Sequence, residues 1–267
     1  MIRASALFLA LALPAGAAPP ERVVSINLCT DQLAMLVAAP GQLVSVSWLA
    51  RDPALSAMPD EARALPANHG LAEDILRLRP DLVLAGAWSD PTTLAMLERL
   101  GLRVETFGAD ADMAGIRADL LRMGDLLGRA ERARDLAAAF DARLAAVPPP
   151  DGPPPRAALY ATDGYSAGRG SLSDAILAAA GLANMAADLG RPDGGFVPLE
   201  RLVLSRPDML VTDRAGPDPA RAEEVLRHPA LTALRARTPA TAHLDARWSC
   251  ATPHVADAVA NLAAARP

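Results

Sequence analysis

The sequence predicts an α/β fold of two similar lobes, each with a parallel-rich central sheet, joined by a long helix. Three observations carry this reading. Short apolar strands alternate with helical segments along nearly the whole chain, the pattern of a parallel sheet. The phrase EDILRLRPDLVL at 73–84 returns as ERLVLSRPDMLV at 200–211. In each copy a glutamate opens a short helix, Arg-Pro-Asp closes it, and an apolar strand follows. Between the copies stands residues 112–147, the longest helical pattern, free of proline, with Ile116, Leu120, Leu121, Leu127, Leu136, Phe140 and Leu144 at helical spacing. A duplicated unit can also arise inside one large sheet; the intervening helix favours two lobes.

Taken in order, residues 22–27 (RVVSIN) form a first strand, and Thr30 or Asp31 can cap a helix over 32–38. Residues 43–47 form a second strand followed by Trp48. Residues 52–67, with three prolines, read as irregular. The helix opened by Glu73 leads to a third strand at 81–85, with Trp88 just beyond it. A helix over 91–100 has proline in its first turn and Gly101 past its end, and a fourth strand occupies 103–106. Gly124 and Gly128 divide the long helical stretch into two helices meeting near Gly128. The second, over 130–147, would be roughly 27 Å long, enough to reach between globular units. PPPDGPPP at 148–155 is a stiff linker. The second lobe then reads as a strand at 157–161, a loop at 162–170 with Tyr165 and Arg169, a helix at 171–180, and a glycine-rich loop at 191–196. The Glu200 helix follows, with a strand at 209–212, short helices at 219–227 and 229–236, a strand at 241–244, and a closing helix at 253–264.

Composition narrows the function. The chain has 267 residues and is 51% hydrophobic, which suffices for a large core, but only 3% aromatic. A net charge of −5 without a basic cluster excludes nucleic acid as a partner. Every basic residue is arginine, so phosphate-loop and Schiff-base chemistry, which need lysine, are excluded. Residues 1–17 read as a secretory signal peptide: Arg3, a short apolar core, then the small-residue site Ala15-Gly16-Ala17. No cysteine sits there to take a lipid. The expected organisation is a signal peptide at 1–17, an N-terminal lobe at 18–111, bridging helices and linker at 112–155, and a C-terminal lobe at 156–267.

Ligands of parallel α/β sheets bind outside the carboxyl ends of the strands. Trp48, Trp88 and Trp248, Tyr165, and both cysteines all fall just after predicted strands. A chain this poor in aromatics would use them first in its core. Their place on strand-end loops points to two surfaces gripping a flat or apolar ligand; the alternative is that they merely cover helix ends. Cys29 and Cys250 could be inert buried thiols, a disulfide, or ligand contacts, with His69 and His254 as companions for a thiolate-bound metal. No C-x-x-C or H-E-x-x-H spacing marks a dedicated metal site. Glu73 and Glu200 suit helix starts through the helix dipole. Their equivalence in two lobes also makes them a pair of acidic knobs able to meet arginines on a roughly two-fold partner. No catalytic constellation stands out; a cysteine hydrolase using Cys29, Asp31 and His69 is the enzyme alternative.

The strand RVVSIN, the phrase E-x-I-L-x-L-x-P-D-L-V-L from Glu73, its return as E-x-L-x-x-x-x-P-D from Glu200, and W-S-x-x-T-P from Trp248 together resemble the periplasmic binding proteins of iron-siderophore, haem and vitamin B12 ABC importers. The cobalamin-binding branch is the most similar. The resemblance implies two Rossmann-like α/β lobes joined by one long rigid helix, no enzymatic activity, and no cofactor beyond the bound metal chelate. It implies a corrinoid or iron-siderophore between the lobes, with haem as the alternative. Its ligand positions correspond to Trp48, Trp88, Tyr165 and Trp248; Cys29, Thr30, His69, Arg169 and Cys250 complete the expected ligand-binding set. It implies a monomeric receptor in the periplasm, docking on an inner-membrane ABC permease and its ATPase through Glu73 and Glu200. The cysteines depart from the pattern of cobalamin binders, whose disulfide lies within the second lobe.

Overall fold

The computed structural model describes residues 18–109, 112–214 and 220–267. The expected signal peptide at 1–17 lies outside the described residues. The first half contains β1 (Val23–Ser25), α1 (Leu28–Val37), β2 (Leu43–Ser47), α2 (Pro59–Arg63), β3 (Ala67–Asn68), α3 (Ala72–Arg77), β4 (Leu82–Gly86), α4 (Pro91–Arg99) and β5 (Val104–Phe107). Its sheet has the order β3-β2-β1-β4-β5, parallel throughout. After α5 (Met113–Leu126) and α6 (Ala130–Ala145) come β6 (Arg156–Tyr160), β7 (Tyr165–Ser166), α7 (Leu172–Ala179), β8 (Ala183–Asn184), β9 (Gly195–Phe196), α8 (Leu199–Ser205), β10 (Met209–Thr212), α9 (Pro229–Arg237), β11 (Ala240–His243) and α10 (Val255–Ala265). The second sheet has the order β11-β10-β6-β8, again parallel, and β7 pairs with β9 as a small antiparallel ribbon. Helices on both faces leave β4 and β10 buried along their whole length, which is why both read as unbroken apolar runs.

The two halves repeat one design. The order β2-β1-β4-β5 corresponds to β8-β6-β10-β11. The repeated Arg-Pro-Asp is its latch. Arg79 and Arg206 both take the left-handed conformation, φ 46° and 48°, at the ends of α3 and α8, because the proline that follows disfavours continued helix. The Asp81 carboxylate accepts from the backbone N–H groups of Glu21 and Arg22, and Asp208 accepts from that of Arg156. The Arg22 guanidinium donates to the Arg79 carbonyl and that of Arg156 to the Arg206 carbonyl. Each latch thus fixes the start of its lobe's first strand.

The lobes are bridged by a helical hairpin. α6, with 16 residues, spans about 24 Å, and α5 lies antiparallel along it, with Arg117 bonded to Asp141 at 3.0 Å. The break falls at Gly128, whose φ of +67° suits glycine. At Gly124 a Cβ would collide with that of Ala133, so glycine sets the close approach of the helices. Both helices pass from one core to the other: Leu120, Met123, Leu127 and Ala137 belong to the N-terminal core, Ile116 and Phe140 to the C-terminal one.

Three expectations need correction. The helix after β1 starts at Leu28, not 32, and Asn27 caps it: its Oδ1 accepts from the Cys29 N–H at 3.0 Å. Thr30 and Asp31 are instead buried within its first turn. Residues 52–67 are not wholly irregular, since they contain α2 and run into the edge strand β3.

Candidate functional site

The carboxyl ends of both sheets bring their loops together, and the link between them is covalent. Cys29, in the first turn of α1, is bonded to Cys250, in the turn before α10, with Cα atoms 5.2 Å apart and a sequence separation of 221. This settles the open question about the cysteines: they are neither inert thiols nor thiolate ligands. The cysteine-hydrolase alternative fails with them, because Cys29 has no free thiol. Cys29 is half-buried and lines a cavity, whereas Cys250 is buried behind it.

That cavity, of ≈ 380 Å³, lies between the lobes. Asn27, Thr30, Trp88 and Phe107 line it from one lobe, Ser171 and Ser249 from the other, and Asp119 of α5 from the bridge. A second cavity of ≈ 630 Å³ is lined by Leu55 on one side and by Thr162, Asp213, Arg214 and Trp248 on the other. Ser249 lines both cavities, so the disulfide-bearing loop stands between them.

Both lobes carry exposed aromatics, and of these Trp88 lines the first cavity. Trp48 is 50% exposed and Trp88 87%; from the other lobe, Tyr165 is 43% and Phe196 61%. Trp48 lies 5.9 Å from the His69 ring, and Tyr165 meets Phe196 edge-on at 5.8 Å. By contrast Tyr160, Phe107 and Phe140 are buried. Trp248 is half-buried and packs on the C-terminal core while lining the second cavity. Phe196 was missed by sequence reasoning. Its partnership with Tyr165 comes from β7–β9 pairing across thirty residues, and only its position in a glycine-rich loop hinted at it.

Two carboxylates, one buried and one half-buried, hold the loops that carry these residues. Asp31, fully buried, accepts from the Ser47 N–H at 3.1 Å and the Ser47 hydroxyl at 2.5 Å, fixing the end of β2 from which Trp48 projects. Burial pushes the Asp31 carboxyl up to about 7, outweighing the opposing hydrogen bonds from Ser25 and Ser47. In the second lobe the Asp213 carboxylate accepts from the N–H and hydroxyl of Thr162 at 2.8 and 2.9 Å, ordering the start of the Tyr165 loop.

Charge around the cleft is largely compensated. Arg247 is paired with Asp245, which raises its pKa. Arg169 is exposed, with Asp193 4.0 Å away, a separation that gives little binding energy. Burial, then Arg143, lowers the His254 pKa despite Glu61, which favours the neutral ring. Among the described residues no group of three or more His, Cys, Asp or Glu side chains could hold a metal ion. Glu73 and Glu200 are both exposed, in the first turns of α3 and α8. These helices run back against their sheets, so both glutamates stand at the strand-carboxyl end, on separate lobes.

Comparison with known proteins points to one family. A family model described as periplasmic binding protein matches residues 23–238. The cobalamin-binding protein of Halobacterium salinarum is 31% identical over 199 residues, covering 72% of this chain and 54% of that protein. The chain thus spans about half the length of the curated relatives it matches. Among solved structures, a periplasmic heme-binding protein from Pseudomonas aeruginosa superposes with a TM-score of 0.74 at 26% identity over 92% of both chains. One from Roseiflexus sp. RS-1, in apo form, gives 0.72 at 25% identity over 92% of this chain and 97% of that one. The periplasmic vitamin B12 binding protein of Vibrio cholerae gives 0.69 at 22% identity over 92% and 96%, a likeness of fold.

Proposed function

The chain belongs to the periplasmic binding protein family, and on that premise we propose that it captures a metal chelate, a corrinoid in first place, between its lobes and delivers it to an ABC permease. The observation that carries this reading is the presence of four exposed aromatics in a chain that has few, Trp48 and Trp88 on one lobe and the β7–β9 pair Tyr165 and Phe196 on the other. An aromatic rim desolvates and stacks a large, flat, largely uncharged ligand. With Arg247 paired to Asp245 and Arg169 exposed and loosely paired, Arg214 of the second cavity adds only a modest attraction for a polyanionic siderophore. The 31% identity to a cobalamin-binding protein supports the corrinoid.

Haem is the second reading, favoured by the solved heme-binding proteins at 25–26% identity and by Tyr165 and His69, either of which can supply an axial ligand. In this account Thr30, Cys29 and Ser249 form the cleft floor and Trp248 a side wall. Glu73 and Glu200, one on each lobe, are the knobs that meet permease arginines and set docking orientation. Residues 1–17 act as the export signal, placing the receptor in the periplasm. Among the described residues no helix is long and apolar enough to cross a membrane. Titration with cyanocobalamin, hemin and a ferric hydroxamate, followed by tryptophan fluorescence, tests the reading: saturable quenching at micromolar concentration by cyanocobalamin supports the corrinoid, and by hemin alone the haem alternative.

A further inference from the structure

The disulfide sits where it controls the relation between the lobes. Cys29 is built into α1, whose Leu33, Ala34 and Val37 are buried in the N-terminal core. Cys250 stands just before α10, whose Val255, Ala256, Val259 and Leu262 are buried in the C-terminal core. Each sulfur is therefore fixed to one lobe. The hairpin α5–α6 is the other link, and the ≈ 380 Å³ cavity lies between the two, with Asp119 of the hairpin on one wall and Cys29 and Ser249 on another. Two bodies tied at two separated points retain a single easy rotation, about the line joining those points. Removing one tie restores the others.

We infer that the Cys29–Cys250 disulfide is a reducible clamp that holds the two lobes together across the cleft, and that a dithiol reductant, entering at Cys29, frees the lobes and loosens the bound ligand. The entry point follows from exposure: Cys29 is half-buried and lines the cavity, whereas Cys250 is only 2% exposed. A thiolate of the reductant attacks the Cys29 sulfur; the bond between Cys29 and Cys250 breaks, and Cys250 leaves as a thiolate that takes up a proton. The reductant's second thiolate then attacks its own sulfur in the mixed disulfide and releases Cys29, which is protonated in turn. The reductant ends as a disulfide, and two electrons and two protons end on the pair of cysteines. The fold survives the step because each lobe has a separate core and the hairpin contributes side chains to both.

The clamp is tested on the mature protein without any ligand. Hydrogen–deuterium exchange is compared for the oxidised protein, the dithiothreitol-treated protein and the Cys29→Ser/Cys250→Ser double variant, with thiol counting and circular dichroism alongside. Two thiols should appear on reduction with the circular dichroism unchanged. Exchange at residues 86–88 and 170–172, on facing walls of the cleft, should rise about ten-fold while β1 and β6 stay protected. Dissociation of cyanocobalamin or hemin, whichever binds, should speed up by a similar factor. Unchanged cleft exchange in both the reduced protein and the double variant overturns the clamp, as does loss of the folded signal in both. A disulfide that resists dithiothreitol in the folded protein overturns the entry at Cys29. The ligand part rests on the proposed transport role: if neither probe binds, that role fails while the exchange data still decide the clamp.

Discussion

Replacing Asp31 with asparagine should remove a large pH dependence from the stability of the protein. Asp31 is fully buried, and burial raises its carboxyl from the ordinary 3.8 to about 7. Between those values the folded protein holds a proton on Asp31 that the unfolded chain has lost. Stability from this group is therefore complete below pH ~4, falls as pH rises, and levels off above pH ~7. At ~1.36 kcal/mol per pH unit, the difference between 3.8 and about 7 gives a loss of about 4 kcal/mol. Asparagine keeps the shape. Its Oδ1 accepts from the Ser47 N–H and its Nδ2 can donate to the Ser47 hydroxyl, so the end of β2 stays in place. Urea denaturation of both proteins at intervals from pH 4 to 8 isolates the effect, since all other titrating groups cancel in the difference. The variant should gain on the natural protein by several kcal/mol between pH 4 and 8, with Trp48 emission unchanged near pH 5. Parallel stability profiles for the two proteins would refute the argument.

Other outcomes follow from the same structure. Gly124→Val should force α5 and α6 apart at Ala133 and lower the thermal midpoint, with a loss of about 1–3 kcal/mol typical of overpacking, read by calorimetry. Trp88→Ala, at a site 87% exposed, should change stability by less than about 0.5 kcal/mol yet weaken binding of the quenching chelate at least several-fold in a titration. Charge reversal of both knobs, Glu73→Arg with Glu200→Arg, should abolish uptake in cells while leaving chelate affinity of the purified protein unchanged; surviving uptake would show that docking uses another surface.

Much of the fold was legible because its signals are local. The repeated Arg-Pro-Asp is visible in sequence since the proline ends each helix just before a strand, although the partners of the aspartates lie 59 and 52 residues away. The hairpin was legible through Gly128, the one turn that interrupts a long helical pattern. Two-residue strands such as β3, β7 and β9 were not, because they have no periodicity to read and exist only through pairing with distant partners. The cap of α1 was misplaced because Asn27, Thr30 and Asp31 all suit the role. Only the abrupt end of β1 at Ser25 lets Asn27 take it, and Asp31 turns inward to Ser47. Trp48, Trp88, Tyr165 and Trp248 could be placed at strand ends because the strands they follow are themselves legible. The union of Cys29 with Cys250, and of Tyr165 with Phe196, depends on how distant segments meet, which no local pattern records.

The central claim, that a metal chelate is held between the lobes against exposed tryptophans, is tested most directly by titrating the mature protein with cyanocobalamin while following tryptophan fluorescence, with hemin and a ferric hydroxamate in parallel. Saturable quenching by cyanocobalamin is expected at micromolar or tighter concentration, weakened in Trp88→Ala. Absence of quenching and of binding by all three chelates would contradict it.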